Sequence, residues 1–236
     1  MKLHRPADSR GHVRTGWLDS RHTFSFGHFH DPDWMGFGPL RVINEDRVAP
    51  GAGFPSHGHA NMEILSYVLE GALAHKDSHG GEGTLRPGEL QWMGAGHGIE
   101  HSEFNASPDA PVHFLQIWIQ PDRVNLPPGH AQRSFDGGDR RGRWALLASP
   151  DGADGSLAIR QQATLHGAWL GAAERVDVAL APDRRYWLQV ARGDVRVDGE
   201  ILSAGDALGW VDEASTLSLE GAGADIADIL LFTLPR

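Results

Sequence analysis

Two stretches of the sequence decide the fold prediction: GAGFPSHGH at residues 51–59 and MGAGHGIEHSE at residues 93–103. In the first, His57 and His59 are separated by one residue, and in the second, so are His101 and Glu103. On a β-strand, side chains at positions i and i+2 point to the same face. If each pair lies on a strand, two facing strands enclose one metal ion with three imidazoles and one carboxylate.

The donor types limit which metals fit this candidate site. The chain contains no cysteine, so neither disulfides nor thiolate ligands can form, and His, Asp or Glu must hold any metal. Imidazole and carboxylate together suit Fe(II), Mn(II), Ni(II), Cu(II) or Zn(II). A single histidine is more often an ordinary surface residue. Thirteen of the fourteen histidines, however, lie at or before His130, so we expect the chemistry in the first half.

Composition narrows the class of protein. The 236 residues include 30 Gly and 14 Pro, which favours many turns and short strands over long helices. The net charge of −10 argues against a general affinity for nucleic acid or for an anionic membrane surface. Residues 1–8 lack the apolar core of a signal peptide, and no apolar run approaches a membrane span. We therefore expect a soluble cytoplasmic protein.

Short apolar runs recur along the chain at roughly ten-residue spacing. The runs at 40–48, 63–71 and 112–119 read as strands, the last with apolar residues at both parities. This spacing predicts an antiparallel sandwich or barrel. Phe24, Phe26 and Phe29 suggest one more strand over 23–29, kinked near Gly27. Its aromatics are expected to pack over a sheet, and the alternative puts His22, His28 or His30 at a pocket rim.

The second half of the chain repeats features of the first. The run at 67–71 resembles 187–193, and the run at 86–92 resembles 203–210. Between them, Asp198-Gly199 predicts the turn of a hairpin. If Gly71 is aligned with Gly193, Ala179 and Ala181 take the places of His57 and His59. The second copy is therefore expected to have the barrel without the metal.

These residues point to a family. Gly51, His57, His59, Glu63 and Gly71 resemble the first motif of the cupins, with one extra residue before the last glycine. His101 and Asn105 match the end of the second cupin motif. The part of this sequence that precedes His101 departs from the usual spacing of that motif. Those departures resemble the pirin family, as do further segments: Gly11-His12, 16–18, 23–26, 69–71, 87–93, Ala95-Gly96 and Gly98-Ile99.

The resemblance implies an all-β protein of two tandem, antiparallel cupin barrels of the jelly-roll type. Its expected divisions are 1–122 for a metal-binding barrel, 123–143 for a linker and 144–236 for a degenerate barrel without ligands. The implied cofactor is one divalent transition metal, with Fe(II) expected and Zn, Ni, Cu, Mn or Co also compatible. Its ligands would be His57, His59, His101 and Glu103. In many other cupins the carboxylate comes from the first motif, here Glu63, which strand parity cannot exclude. We expect Glu63 to be a hydrogen-bond partner behind the ligands.

Bacterial pirin-like proteins are associated with quercetin 2,3-dioxygenase activity, which implies a planar phenolic substrate and O2 as co-substrate. The metal would lower the pKa of the flavonol 3-hydroxyl, and Glu103 could accept that proton as general base. An apolar lining would suit a planar aromatic substrate. The candidates, each also suited to the core, are Phe24, Phe26, Phe54, Met93 and Phe114.

Two other readings use the same ligands. Eukaryotic pirins resemble iron-dependent partners of transcription factors, so the chain could instead be a non-catalytic redox sensor that binds a protein partner. A structural zinc or nickel cupin is the third reading. We expect a monomer and no direct contact with nucleic acid or membrane.

Overall fold

The computed structural model describes residues 1–135 and 137–236, which divide into two compact units. The N-terminal barrel comprises Gly11–Ser134 and Ile159–Gln161. The C-terminal barrel comprises Met1–Arg10, Phe135–Ala158 and Gln162–Arg236. The first ten residues thus cluster with the C-terminal barrel, and part of the segment 123–143 forms a strand.

Twenty-two strands account for most of the described residues. The first twelve are β1 (Lys2–Arg5), β2 (Gly11–Arg14), β3 (Leu18–His22), β4 (Leu40–Val48), β5 (Gly53–His59), β6 (Glu63–Glu70), β7 (Leu73–Asp77), β8 (Glu82–Leu85), β9 (Glu89–Gly94), β10 (Ile99–Asn105), β11 (Val112–Ile119) and β12 (Gly129–Ser134). The other ten are β13 (Ala145–Ser149), β14 (Leu157–Ala158), β15 (Thr164–Leu170), β16 (Arg175–Ala179), β17 (Arg184–Arg192), β18 (Asp194–Val197), β19 (Glu200–Ser203), β20 (Ala207–Val211), β21 (Thr216–Gly221) and β22 (Ala227–Pro235).

Helical structure is limited to short pieces. They are the α-helix Gly137–Arg140 and the 3₁₀ turns Ala7–Ser9, Pro32–Trp34 and Ala153–Gly155. Across the described residues, no helix is long and apolar enough to cross a membrane.

The N-terminal barrel consists of a seven-stranded and a four-stranded antiparallel sheet. Their strand orders are β12-β9-β6-β11-β4-β3-β2 and β5-β10-β7-β8. One apolar cluster contains Val68 and Phe114, and another contains Ile64 with Trp118 packed against it. Because successive inward side chains on a strand are two residues apart, Ser66 lies between Ile64 and Val68, and Gln116 lies between Phe114 and Trp118. The barrel therefore has apolar clusters on either side of a buried polar middle.

The C-terminal barrel uses the same plan. Its sheets have the orders β1-β20-β17-β22-β15-β13-β14 and β16-β21-β18-β19. The described part of its interior contains an apolar cluster that includes Ala168, Leu188, Leu219 and Leu231. The hairpin predicted from Asp198-Gly199 is confirmed, because β18 and β19 pair directly and both turn residues have positive φ, as this tight turn requires.

The strand predicted over 23–29 is wrong. Phe26 and Phe29 instead form an isolated antiparallel bridge around a tight turn, in which Gly27 has φ of 58°. Aromatic alternation suggested a strand, but a left-handed glycine reverses the chain at the expected kink. The turn brings the Phe26 ring edge-on to Trp118, with ring centroids 5.4 Å apart.

Candidate metal centre

Strand pairing brings the three motif histidines together. His57 and His59 lie on β5, and His101 lies on the adjacent β10, directly opposite His57. Residues that face each other across a sheet share a face, so all three rings project from the same side of the four-stranded sheet. Their candidate ligand atoms lie within 4.8 Å of one another.

The spacing of the ring nitrogens tests whether a metal fits. The Nε2 atoms of His59 and His101 are 3.0 Å apart, and those of His101 and His57 are 3.1 Å apart. Nitrogens on adjacent corners of an octahedron, each about 2.1 Å from the ion, lie about 3.0 Å apart, against about 3.4 Å for a tetrahedron. The spacings from His101 to the other two histidines therefore suit nitrogens at adjacent positions around one ion.

The protonation of the histidines also suits metal binding. Burial, reinforced by the neighbouring imidazoles, lowers the pKa of His59 and of His101 to about 4. Both rings are then neutral near pH 7 and offer a nitrogen lone pair. Nδ1 of His57 lies 2.8 Å from the carbonyl oxygen of Pro55. Because a carbonyl can only accept, this nitrogen carries the proton, and Nε2 faces the other histidines as a free acceptor.

Glu103 lies beside the histidines but is held by other side chains. The Gln116 amide donates to one carboxylate oxygen at 2.7 Å, and the Ser66 hydroxyl lies 3.1 Å from the other. Burial raises the pKa of Glu103, against the lowering effect of these two hydrogen bonds. The pairing of β10 with β5 shifts register between His101 and Glu103. The metal-compatible cluster comprises the three histidines, with Glu103 next to it on the same cavity wall.

Glu63, the alternative carboxylate, has a different environment. One of its oxygens accepts hydrogen bonds from the Trp92 indole at 2.7 Å and from the backbone N–H of Arg160 at 2.9 Å. Burial raises its pKa, which both hydrogen bonds oppose. These hydrogen bonds connect Glu63 to Trp92 and to the segment Ile159–Gln161. They do not reach a candidate metal ligand.

A cavity of about 220 Å³ opens in front of the histidines. His57, His59 and Glu103 form part of its wall, and Phe26, Phe54 and Trp118 give it flat aromatic surfaces. Trp118 also meets His59 edge-on, with ring centroids 4.9 Å apart. Of the candidate lining residues, Phe26 and Phe54 line this cavity, while three are buried in the core: Phe24, Met93 and Phe114.

Sequence reasoning missed the polar wall of this cavity. The Asp46 carboxylate accepts a hydrogen bond from the Ser20 hydroxyl, which lies 2.9 Å from Nε2 of His22. Burial raises the pKa of Asp46 to about 7, and the nearby charges of Glu103 and Glu45 add to the rise against the Ser20 hydrogen bond. Asn44 lines the same cavity. Asn44 and Asp46 share one face of β4 with the apolar Val42 and Val48, and these two polar residues on that face were the available signal.

The fold and the cluster define a class: a bicupin, with a site suited to a divalent metal ion in its N-terminal barrel. Comparison with known proteins narrows the class. Residues 4–119 match the family described as Pirin, and residues 146–234 match the quercetinase C-terminal cupin domain. The chain belongs to the pirin family.

Individual relatives match over nearly their whole length. A protein of Escherichia coli (strain K12) named quercetin 2,3-dioxygenase is 44% identical, with 98% of this chain and 97% of that protein covered. A pirin-like protein of Caulobacter vibrioides is 42% identical, covering 95% of this chain and 97% of its own. The crystal structure of the bacterial pirin YhhW from Escherichia coli, in complex with nickel(II), has a TM-score of 0.93 and 43% identity, and the match covers 100% of both chains.

Proposed function

We propose that this chain is a metal-dependent dioxygenase that opens the heterocycle of a flavonol such as quercetin with O2. The observation that supports it most is the cavity wall itself. There a cluster of three imidazoles, a buried carboxylate and flat aromatic rings lie around one cavity. The name of the Escherichia coli relative supports the same activity.

His57, His59 and His101 would hold the ion, with Glu103 as the fourth ligand. Fe(II) is the ion we propose first, and the nickel complex of a relative is consistent with a site that accepts other divalent metals. When bound, the metal supplies Lewis-acid polarisation of the flavonol hydroxyl and access to O2 chemistry.

Glu103 is proposed to take the proton of the flavonol 3-hydroxyl. Its carboxylate lies in the cavity wall, and burial raises its pKa toward values at which it can hold a proton. Gln116 and Ser66 fix the orientation of this carboxylate through their hydrogen bonds. A proton held there leaves the flavonol ring electron-rich, which is the form that O2 attacks.

The aromatic walls would position the substrate. Phe26, Phe54 and Trp118 offer flat apolar surfaces against which fused rings pack and from which water is excluded. Asn44 and Asp46 lie on the polar side, where an amide and a carboxyl group can hydrogen-bond to phenolic hydroxyls. A redox sensor that only changes affinity for a partner has no need of such an enclosed, mixed-polarity space.

The test is turnover by metal-free protein reloaded anaerobically with Fe(II) and, in parallel, with Ni(II) and Zn(II). Quercetin loss and O2 uptake are followed in the parent, His101→Ala, Glu103→Ala and Glu63→Ala, with His79→Ala as a control at an exposed histidine. We expect many turnovers in the parent, Glu63→Ala and His79→Ala, and none in the first two variants. Activity that survives in Glu103→Ala and is lost in Glu63→Ala would move the carboxylate ligand to the first motif. Stoichiometric metal without turnover on any flavonol would overturn the enzymatic reading in favour of a sensor.

A further inference from the structure

A second cavity, of about 310 Å³, adjoins the first. The two share Phe26, Gly27 and Trp118 as wall residues, so the edge-to-face pair of Phe26 and Trp118 stands between them. The remaining wall is mostly apolar and includes Phe29, Met35 and Met62. Such a wall accepts an aromatic ring.

Arg41 gives this second cavity a positive charge. Its Nη1 donates to the backbone carbonyl oxygens of Met35 and, at 3.2 Å, of Ser25. Within residues 1–135 and 137–236, no carboxylate lies within ion-pair distance of Arg41, although the chain has a net charge of −10. A guanidinium that lines a cavity and lacks an acidic partner is suited to binding a carboxylate.

The two cavities therefore differ in their charged groups. The cavity in front of the histidines carries the carboxyl groups of Glu103 and Asp46, and the second cavity carries the guanidinium of Arg41. Flavonol ring opening creates an anion. One oxygen atom of O2 joins C2, which becomes an ester carbon, and the other joins C4, which becomes a carboxylate. The O–O, C2–C3 and C3–C4 bonds break, O2 is the oxidant, C3 leaves with its oxygen as carbon monoxide, and the hydroxyl proton is released.

We propose that the second cavity binds aromatic carboxylates, and that during turnover it takes up the carboxylate of the ring-opened product. The first half of this inference stands on the cavity and Arg41 alone. The second half rests on the proposed dioxygenase function. The product would move to a cavity in which Arg41 pairs with its carboxylate, which clears the metal centre for the next substrate.

Binding of benzoate tests the first half, with benzamide as the uncharged probe of the same shape. Titration of the metal-loaded full chain is followed by calorimetry and tryptophan fluorescence. We expect benzoate to bind, benzamide to bind at least about tenfold more weakly, and Arg41→Gln to lose about tenfold in benzoate affinity. Arg41→Lys keeps part of the affinity, and Arg123→Gln, at an exposed arginine, keeps all of it. His101→Ala should also bind benzoate, because the second cavity does not use the metal.

Arg41 also stabilises its surrounding loop through hydrogen bonds to backbone carbonyl oxygens. A second variant therefore keeps Arg41 and changes another residue of the cavity wall. Met62→Trp fills part of the second cavity and should weaken benzoate binding about tenfold, while thermal unfolding confirms that both variants are folded. Benzoate affinity that is unchanged in Arg41→Gln and Met62→Trp, or that is lost in His101→Ala, would overturn the site.

Product inhibition tests the second half. Inhibition of quercetin turnover by the isolated ring-opened product should weaken about tenfold in Arg41→Gln. Equal inhibition of parent and variant, in protein whose benzoate binding depends on Arg41, would overturn the product assignment alone. Absence of all turnover would overturn the dioxygenase function and the product assignment with it, whereas the benzoate result would still stand.

Discussion

The two barrels share one plan of strands and differ in what fills them. In the N-terminal barrel, the central strands β6 and β11 pair Ser66 with Gln116, and both side chains hold Glu103. In the C-terminal barrel, the equivalent strands β17 and β22 pair Leu188 with Leu231 in an apolar core. The alignment that matches Gly71 with Gly193 also puts Ala168 where the N-terminal barrel has Asp46. The strand plan alone therefore does not make the site. The site depends on a few polar residues at the centre of the N-terminal barrel, where the C-terminal barrel has apolar ones.

The largest expected effect comes from removing one of the clustered imidazoles. His101→Ala should lower bound metal from about one ion per chain to near zero, and turnover by at least about 10³-fold, because two imidazoles no longer enclose the ion. Metal analysis after desalting checks the first quantity. His79→Ala should retain both properties, and full metal content in His101→Ala would contradict the assignment.

A pH effect on stability should arise from Asp46 in the N-terminal barrel, at a position where the C-terminal barrel has Ala168. The pKa of Asp46 is about 7 in the folded chain and about 3.9 when unfolded, so the folded state binds its proton more tightly. The free energy of unfolding contributed by this group should fall as pH rises from about 4 to about 7, by about 4 kcal/mol at most. Asp46→Asn should flatten that part of the profile in urea unfolding between those pH values. An unchanged slope would show that Asp46 does not titrate there.

A smaller effect is expected when the two interiors are made alike. Gln116→Leu gives the N-terminal barrel the residue type that the C-terminal barrel has at Leu231, and it removes the amide donor of the buried Glu103, which keeps only the Ser66 hydroxyl. We expect the free energy of unfolding to fall by about 1–3 kcal/mol and turnover to fall about 10- to 100-fold. The reciprocal change, Leu231→Gln, should also destabilise the chain while turnover per bound metal stays at the parent level. Loss of turnover in Leu231→Gln at full metal content would contradict the claim that turnover depends on the interior of the N-terminal barrel alone.

The smallest effect is expected from adding a single donor to the C-terminal barrel. Ala179, exposed on β16, takes the place of His57 in the alignment of the two halves. Ala179→His should leave metal stoichiometry unchanged and shift the free energy of unfolding by less than about 0.5 kcal/mol, since one imidazole lacks partners. A second equivalent of tightly bound metal would show that the C-terminal barrel retains more of a site than its apolar core indicates.

Sequence patterns predicted the parts of this molecule that depend on periodicity. The antiparallel strands, the Asp198-Gly199 hairpin and the bicupin architecture follow from alternation, turn residues and family motifs. Parity also put His57, His59 and His101 on inward faces, and the structure brings those rings together. Their role as metal ligands remains a prediction.

What the sequence did not predict depends on contacts between distant segments. Strand parity assigns both Glu63 and Glu103 to inward faces. Only the folded chain shows that the Glu63 carboxylate accepts hydrogen bonds from Trp92 and Arg160. The Ser20–Asp46 hydrogen bond joins neighbouring strands that are separated by a long loop in sequence, so neither residue alone signals a cavity wall. Phe26 reaches the cavity because Gly27 reverses the chain, which aromatic alternation does not reveal.

The most direct test of the central claim is the fate of isotopically labelled O2 during quercetin turnover by the metal-loaded chain. We expect one labelled atom at the ester carbon and the other in the carboxylate of the ring-opened product, unlabelled carbon monoxide in equal amount, and neither product from His101→Ala above the protein-free rate. Formation of the labelled product at the same rate by His101→Ala, or its absence from the fully metal-loaded parent, would contradict the claim that the N-terminal barrel is a flavonol dioxygenase site.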